Sequence, residues 1–173
     1  MKTVALIGDS IRIGYQPETA RLLRGRAAVY GPAENCRFAL YTLWGISAWL
    51  KEAGKDLAVI HWNNGLWDSC RRLHGHEPFV TAEEYGNTLR RIIAQIRFSH
   101  PDTPIIFATT TPVWPDYIEN DNATIGAFNA RALRVMSDEN IEINDLHALI
   151  TKNPSYIADD KIHLTPQGCA AAA

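Results

Sequence analysis

Five short apolar runs, at 3–7, 27–30, 57–60, 104–108 and 141–143, alternate along 173 residues with longer segments whose apolar positions recur at helical spacing. A strand in which nearly every residue is apolar must be covered on both faces, and helices placed between successive strands supply that cover. With right-handed crossovers the pattern predicts an α/β protein, a three-layer αβα sandwich around a five-stranded parallel sheet. In such sheets ligands bind beyond the carboxyl ends of the strands.

The helical segments fit between the runs. A helix is predicted to begin over 17–23, after Pro17. Another spans 38–53, where Leu40, Leu43, Trp44, Ala48 and Leu50 repeat and Gly54 offers a stop. The longest is predicted over 82–98, with Thr81 as N-cap and Glu84 completing a capping box. A further helix covers 123–136, and a last one starts after Gln167-Gly168 and is cut short by the end of the chain. The length suits a single domain, 1–173, with a substantial core.

Composition narrows the function classes. Hydrophobic residues make up 46% and charged residues 21%, and the net charge of -2 leaves no basic footprint for nucleic acid. The pairs Arg71-Arg72 and Arg90-Arg91 read as solvated surface. No apolar stretch approaches the roughly 20 residues a membrane span needs. A first strand starting at residue 3 leaves no room for a signal peptide, so the expectation is a cytoplasmic protein. Cys36, Cys70 and Cys169 are odd in number and form no CxxC pair, against both a disulfide framework and a thiolate zinc site. His74 and His76 alone are too few ligands for a metal, and no cofactor is expected.

The polar residues collect where the sheet rule places a site. Ser10 follows the first strand, Asn63-Asn64 the third, Thr109-Thr110-Thr111 the fourth and Asp145 the fifth. A serine hydroxyl is a poor nucleophile at neutral pH and needs a base, with a third group to orient that base. Gly8-Asp9-Ser10 alone is as well explained by a helix cap. Asp160-Lys161-Ile162-His163 changes this, because residues three apart on a loop entering a helix can face one way. Asp160 then reaches one imidazole nitrogen while the other faces Ser10. Asp159 has the less favourable spacing, and Asp145-Leu146-His147 is a weaker rival pair on the same rim.

Together these residues resemble the SGNH, or GDSL-like, hydrolase family, in the order of the motifs along almost the whole chain. The resemblance implies a flavodoxin-like sheet of order 2-1-3-4-5, with Ser10 as nucleophile, His163 as base and Asp160 as its orienting acid. It implies a small-molecule ester substrate, commonly an acetyl or other short acyl group on a sugar, lipid or small alcohol. Two departures fall on the oxyanion hole. The loop after the second strand, Gly31-Pro32-Ala33-Glu34-Asn35-Cys36-Arg37, has no glycine at the family's position, so the N–H of Asn35 or Cys36 takes that place. The family's Gly-x-Asn-Asp block is replaced by Asn63-Asn64-Gly65-Leu66-Trp67-Asp68. Asn64 is the first choice as amide donor and Asn63 the second, beside the N–H of Ser10.

Arg12 is a candidate to clamp a polar substrate, or to pair with a carboxylate such as Glu34. Trp62, Trp67 and Trp114 are placed near the mouth, where aromatic walls suit an acylated carbohydrate or an acyl chain. Trp44 and Trp49 fall in a helix, as core or interface. The stretch from Trp67 to Phe79 is a long insertion, a lid or a contact between copies of the chain. A non-catalytic carbohydrate- or partner-binding module, and an acyltransferase using the same triad, stay open as alternatives to the hydrolase.

Overall fold

The structure is a computed structural model that describes residues 1–71 and 77–173. Its sheet contains β1 (Thr3–Ile7), β2 (Ala28–Tyr30), β3 (Leu57–Trp62), β4 (Ile105–Ala108) and β5 (Glu142–Asn144). All pair in parallel, in the order β2-β1-β3-β4-β5. Successive residues of a strand point to opposite faces. In β1 Ala5, Leu6 and Ile7 are all buried, which requires cover on both sides.

That cover comes from two helical layers. On one face, Ala5, Ile7, Ile60 and Phe107 of the sheet pack with side chains of α2 (Ala39–Ala53), α3 (Ala82–Ser99) and α4 (Asn122–Asp138), among them Trp49, Leu89 and Val135. On the other, Leu6 packs with Ile11 and Tyr15 of α1 (Ser10–Leu22), Leu146 of α5 (Leu146–Lys152) and Ala172 of α6 (Pro166–Ala172). The layered architecture and the strand order are those expected from the sequence.

Local chemistry sets the helix starts. The Thr81–Glu84 capping box forms as predicted: Glu84 N–H donates to Thr81 Oγ1 at 3.1 Å, and Thr81 N–H donates to Glu84 Oε2 at 2.8 Å. Helix α1, by contrast, begins at Ser10 rather than near residue 17. Asp9 is its N-cap, accepting from Ile11 N–H at 3.0 Å, and Pro17 lies inside the helix. An internal proline forgoes one backbone bond, and burial of Ile11, Tyr15 and Thr19 on the same helix offsets that loss. α5, capped by Asp145, and a single 3₁₀ turn at Pro154–Tyr156 are too short to leave a periodic signal. α6 starts at Pro166, ahead of the expected point, because Thr165 caps Gly168 N–H at 3.1 Å and a proline suits the first helical turn.

Candidate active site

The break between β1 and α1 places Ser10 at the first position of a helix, on the rim formed by the carboxyl ends of the strands. The N–H groups of a first turn lack partners within their own helix and carry the positive end of its dipole. His163 comes from the loop before α6. Its Nε2 lies 2.8 Å from Ser10 Oγ, and its Nδ1 lies 2.6 Å from Asp160 Oδ2. The other carboxylate oxygen, Oδ1, accepts from the N–H groups of Ile162 at 3.1 Å and His163 at 2.9 Å. Partial desolvation works to raise the Asp160 pKa, but the His163 backbone N–H, the His163 ring and the Ile162 N–H together hold it below the usual carboxylate range. The acid therefore stays ionised opposite the imidazole.

The loop carrying this pair is tied down on both sides. Lys161 turns in the left-handed region at φ 73°, which brings Asp160 and His163 round to one side. Ala158 N–H donates to His163 O at 2.8 Å, and Ile157 bridges to Leu164. Trp114 N–H donates to Lys161 O at 2.9 Å, and Lys161 Nζ pairs with Asp116 at 2.6 Å. Asp159 is exposed, and Asp160, not Asp159, meets the imidazole. The rival pair is engaged elsewhere. Asp145 accepts from Ala148 N–H and from Thr109 Oγ1, and His147 Nδ1 donates to Thr110 O at 2.9 Å.

Beneath Ser10 the residues considered as oxyanion donors are built into the support. Asn63 is buried and its Nδ2 donates to Asp9 Oδ1 at 3.0 Å. Gly8 has no room for a side chain, since an added Cβ would lie 2.0 Å from Asn63 Oδ1. Asn64 is tied at both ends, its Oδ1 accepting from Trp62 Nε1 at 2.6 Å and its Nδ2 donating to Arg37 O at 2.8 Å. Cys36 N–H is spent on Gly8 O at 3.1 Å, and Asn35 Oδ1 accepts from Arg37 N–H at 2.7 Å. The loop after β2 lacks the family's glycine, yet Arg37 adopts φ 50°, a conformation glycine favours. Asp9 is fully buried. Burial pushes its pKa up, against the pull of its bonds to Asn63 and Ile11 and of the charges on Arg12 and His163.

The profile of the GDSL-like Lipase/Acylhydrolase family matches residues 6–171, from within β1 to within α6. The chain belongs to that family. As a GDSL-like hydrolase it is an enzyme of ester bonds. Solved structures repeat the fold at low sequence identity. An acetyl xylan esterase, AlAXEase, superposes with a TM-score of 0.80 at 16% identity, over 98% of this chain and 96% of that one. A lipase/acylhydrolase from Enterococcus faecalis gives 0.79 at 16% identity, over 99% and 93%. A member of the lipolytic G-D-S-L family from Veillonella parvula gives 0.75 at 17% identity, over 100% and 96%. No curated protein matches in sequence.

In this GDSL-like hydrolase Ser10 and His163 open onto a cavity of about 380 Å³. Its walls are Phe38, Leu66, Trp67, Cys70, Phe79, Tyr117 and Ile162, with Glu119 and Asn120 as the polar exceptions. Most of these were not singled out in the sequence, although Trp67 and Phe79 bound the insertion read as a lid or subunit contact. The signal available for Phe38 was its place just past a strand-end loop, and for Ile162 its place within the Asp160–His163 motif. Residues 72–76, which include His74 and His76, lie outside the described residues. Among the described residues no group of three His, Cys, Asp or Glu side chains could hold a metal ion. No described helix is long and apolar enough to cross a membrane.

Three candidate substrate contacts are placed elsewhere. Arg12 is buried, and its guanidinium donates to the carbonyls of Gly8, Pro32 and Glu34 at 3.1, 3.0 and 2.8 Å and to Gln16 Oε1 at 2.8 Å. It clamps the loop after β2 to the start of α1 instead of a substrate. Nor does it pair with the Glu34 carboxylate, which turns to Tyr41 and Trp49. Trp62 is fully buried, edge-on to Phe107 at 5.0 Å, because its position in β3 faces the α2–α3 layer. Trp114 is partly exposed but does not line the cavity. Asp68, which the sequence gives no role beyond closing the altered block, does structural work at the mouth. Asp68 is buried and accepts from Ala39 N–H with both oxygens, at 2.9 and 3.1 Å. It ties the loop bearing Trp67 to the helix that Phe38 caps.

Proposed function

We propose that this enzyme hydrolyses short-chain carboxylic esters, acetyl esters of carbohydrates among them, by nucleophilic catalysis from Ser10. The observation that carries the proposal is the continuous contact from Ser10 Oγ through His163 to Asp160, at 2.8 and 2.6 Å. His163 takes the Ser10 proton as the oxygen attacks the acyl carbon, and Asp160 holds the resulting imidazolium. His163 then returns the proton to the leaving alcohol. A water activated by the same imidazole releases the acid in a second, mirror-image step.

The negative charge of the tetrahedral intermediate falls on the acyl oxygen. The Ser10 N–H at the positive end of α1 meets it. Beside it we place the backbone N–H of Asn35 and the second Nδ2 hydrogen of Asn64. The apolar cavity beside Ser10 suits an acyl group. The acetyl xylan esterase among the structures of like fold supports a small acyl group on a sugar. Ser10→Ala is expected to abolish hydrolysis of p-nitrophenyl acetate and butyrate while the thermal unfolding midpoint stays in place. Turnover at the wild-type rate in that variant would exclude the mechanism.

A further inference from the structure

The aromatic wall of the cavity continues out of it. Phe79 and Phe38, which line the cavity with Ser10 and His163, stand 4.8 Å apart between ring centroids. Phe38 is followed by Tyr41 at 6.0 Å, and Tyr41 by Trp44 at 5.6 Å with ring planes only 33° apart. Positions 38, 41 and 44 follow the i, i+3 row of α2, so the rings spread over about 9 Å of helix. Trp44, at the outer end, is 76% exposed. Polar groups fix and fringe the row. The Glu34 carboxylate accepts from the Tyr41 hydroxyl and from Trp49 Nε1, and the Arg37 guanidinium stacks over Tyr41 at 5.0 Å.

A single exposed tryptophan needs no explanation. One that ends a file of ring contacts leading from the catalytic serine does. We propose that Tyr41 and Trp44 form a saccharide-binding platform outside the cavity, across which the sugar chain bearing the ester lies while its acyl group enters beside Ser10. The proposal rests on the ester-hydrolase function and names its substrate class, an acylated oligosaccharide or polysaccharide.

The chemistry selects a glycan over other occupants. A pyranose presents an apolar C–H face and a rim of hydroxyls. It matches the exposed ring of Trp44, continued inward by the half-buried Tyr41 ring under Arg37 and edged by a guanidinium and a carboxylate. A long acyl chain has no hydroxyls for Arg37 and Glu34, and on this open surface it would stay half hydrated. A second copy of the chain would have to cover both charged side chains together with the rings, at a desolvation cost.

The test compares substrates by length. Partially O-acetylated xylo-, manno- and cello-oligosaccharides are set against their acetylated monosaccharides and p-nitrophenyl acetate. At least one oligosaccharide is expected to show a KM about tenfold below its monosaccharide. Trp44→Ala and Tyr41→Phe/Trp44→Ala are expected to erase that difference and leave p-nitrophenyl acetate turnover unchanged. Trp44 is exposed, so its truncation spares the core. Equal KM for every oligosaccharide and its monosaccharide would overturn the platform. So would a Trp44→Ala variant that goes from dimer to monomer with the length preference intact. Loss of esterase activity altogether is read apart from these, by titrating the oligosaccharides into Ser10→Ala: binding that disappears with Trp44 upholds the platform, and no binding to Ser10→Ala overturns it.

Discussion

His163 Nδ1 and Asp160 Oδ2 lie 2.6 Å apart on a single turn of chain whose middle residue, Lys161, carries the positive φ that makes the contact geometrically accessible. The carboxylate is also held by two backbone N–H groups of its own loop. Asp160→Asn keeps the size of the side chain and removes the charge, so the imidazole loses both its preferred tautomer and the partner of its charged form. The expected outcome is a fall in kcat of about 10²- to 10⁴-fold on p-nitrophenyl acetate, with KM within a few-fold of wild type. Rates within twofold of wild type would remove Asp160 from the mechanism.

Gly8 is a steric condition for the position of Ser10. A methyl group there would meet Asn63 Oδ1 at 2.0 Å and Arg12 Cβ at 2.9 Å, both anchored side chains. Gly8→Ala is expected to push apart β1 and the loop after β3, lowering kcat by at least about tenfold and stability by roughly 1–3 kcal/mol. Kinetics and a urea titration on the same preparation check both.

Arg12 distinguishes a scaffold clamp from a substrate clamp. Its buried guanidinium donates to three carbonyls; Gly8 O keeps the Cys36 N–H, but Arg12→Leu takes the guanidinium donor from Pro32 O and Glu34 O and is expected to cost roughly 3 kcal/mol or more of stability. Arg12→Lys is expected to recover only part of this, because an ammonium cannot span the same fork. A change confined to KM with unaltered unfolding would contradict the assignment.

Half-buried His61 and buried Asp68 give the stability of the fold opposite pH dependences. His61 in β3 accepts from Asn144 Nδ2 at 3.1 Å and donates to the Tyr15 hydroxyl at 3.2 Å, and burial holds its pKa down to about 4. Between the ordinary histidine value and about 4 the unfolded chain binds a proton that the folded protein refuses, so stability falls as pH drops. Asp68 behaves in the reverse sense. Burial raises its pKa to about 7, against the Ala39 N–H bond and with a contribution from Asp9. From about 4 to 7 the unfolded chain has already released the proton, so stability falls as pH rises. The advantage of wild type over His61→Gln is therefore expected to grow by about 3 kcal/mol from pH 4 to pH 7. The gain of Asp68→Asn over wild type is expected to grow across the same interval. Parallel stability curves for wild type and either variant would refute the corresponding assignment.

Much of this protein is legible in its sequence because the signals are local. Apolar runs such as Thr3–Ile7 and the capping pair Thr81 and Glu84 depend on neighbours within a few residues. So do Gly8-Asp9-Ser10 and Asp160-Lys161-Ile162-His163, whose internal geometry is set by one turn of backbone. Short elements such as α5 were illegible for the same reason, having too few residues to show a period.

Pairing across the sheet is another matter. Whether Trp62 faces water or Phe107, and whether Arg12 meets a ligand or three carbonyls, depends on which face of a strand or helix another segment covers. The amides of Asn63 and Asn64 look alike in sequence and differ only in what lies opposite them, Asp9 for one and Arg37 with Trp62 for the other. The sequence by itself determined the layered sheet, the family and the loops that carry Ser10 and the Asp160–His163 pair, since these follow from periodicity and near-neighbour chemistry. Only the tertiary structure decided which side chains reach the cavity and which are spent holding it, because burial and hydrogen-bond partners are set by segments far apart in the chain.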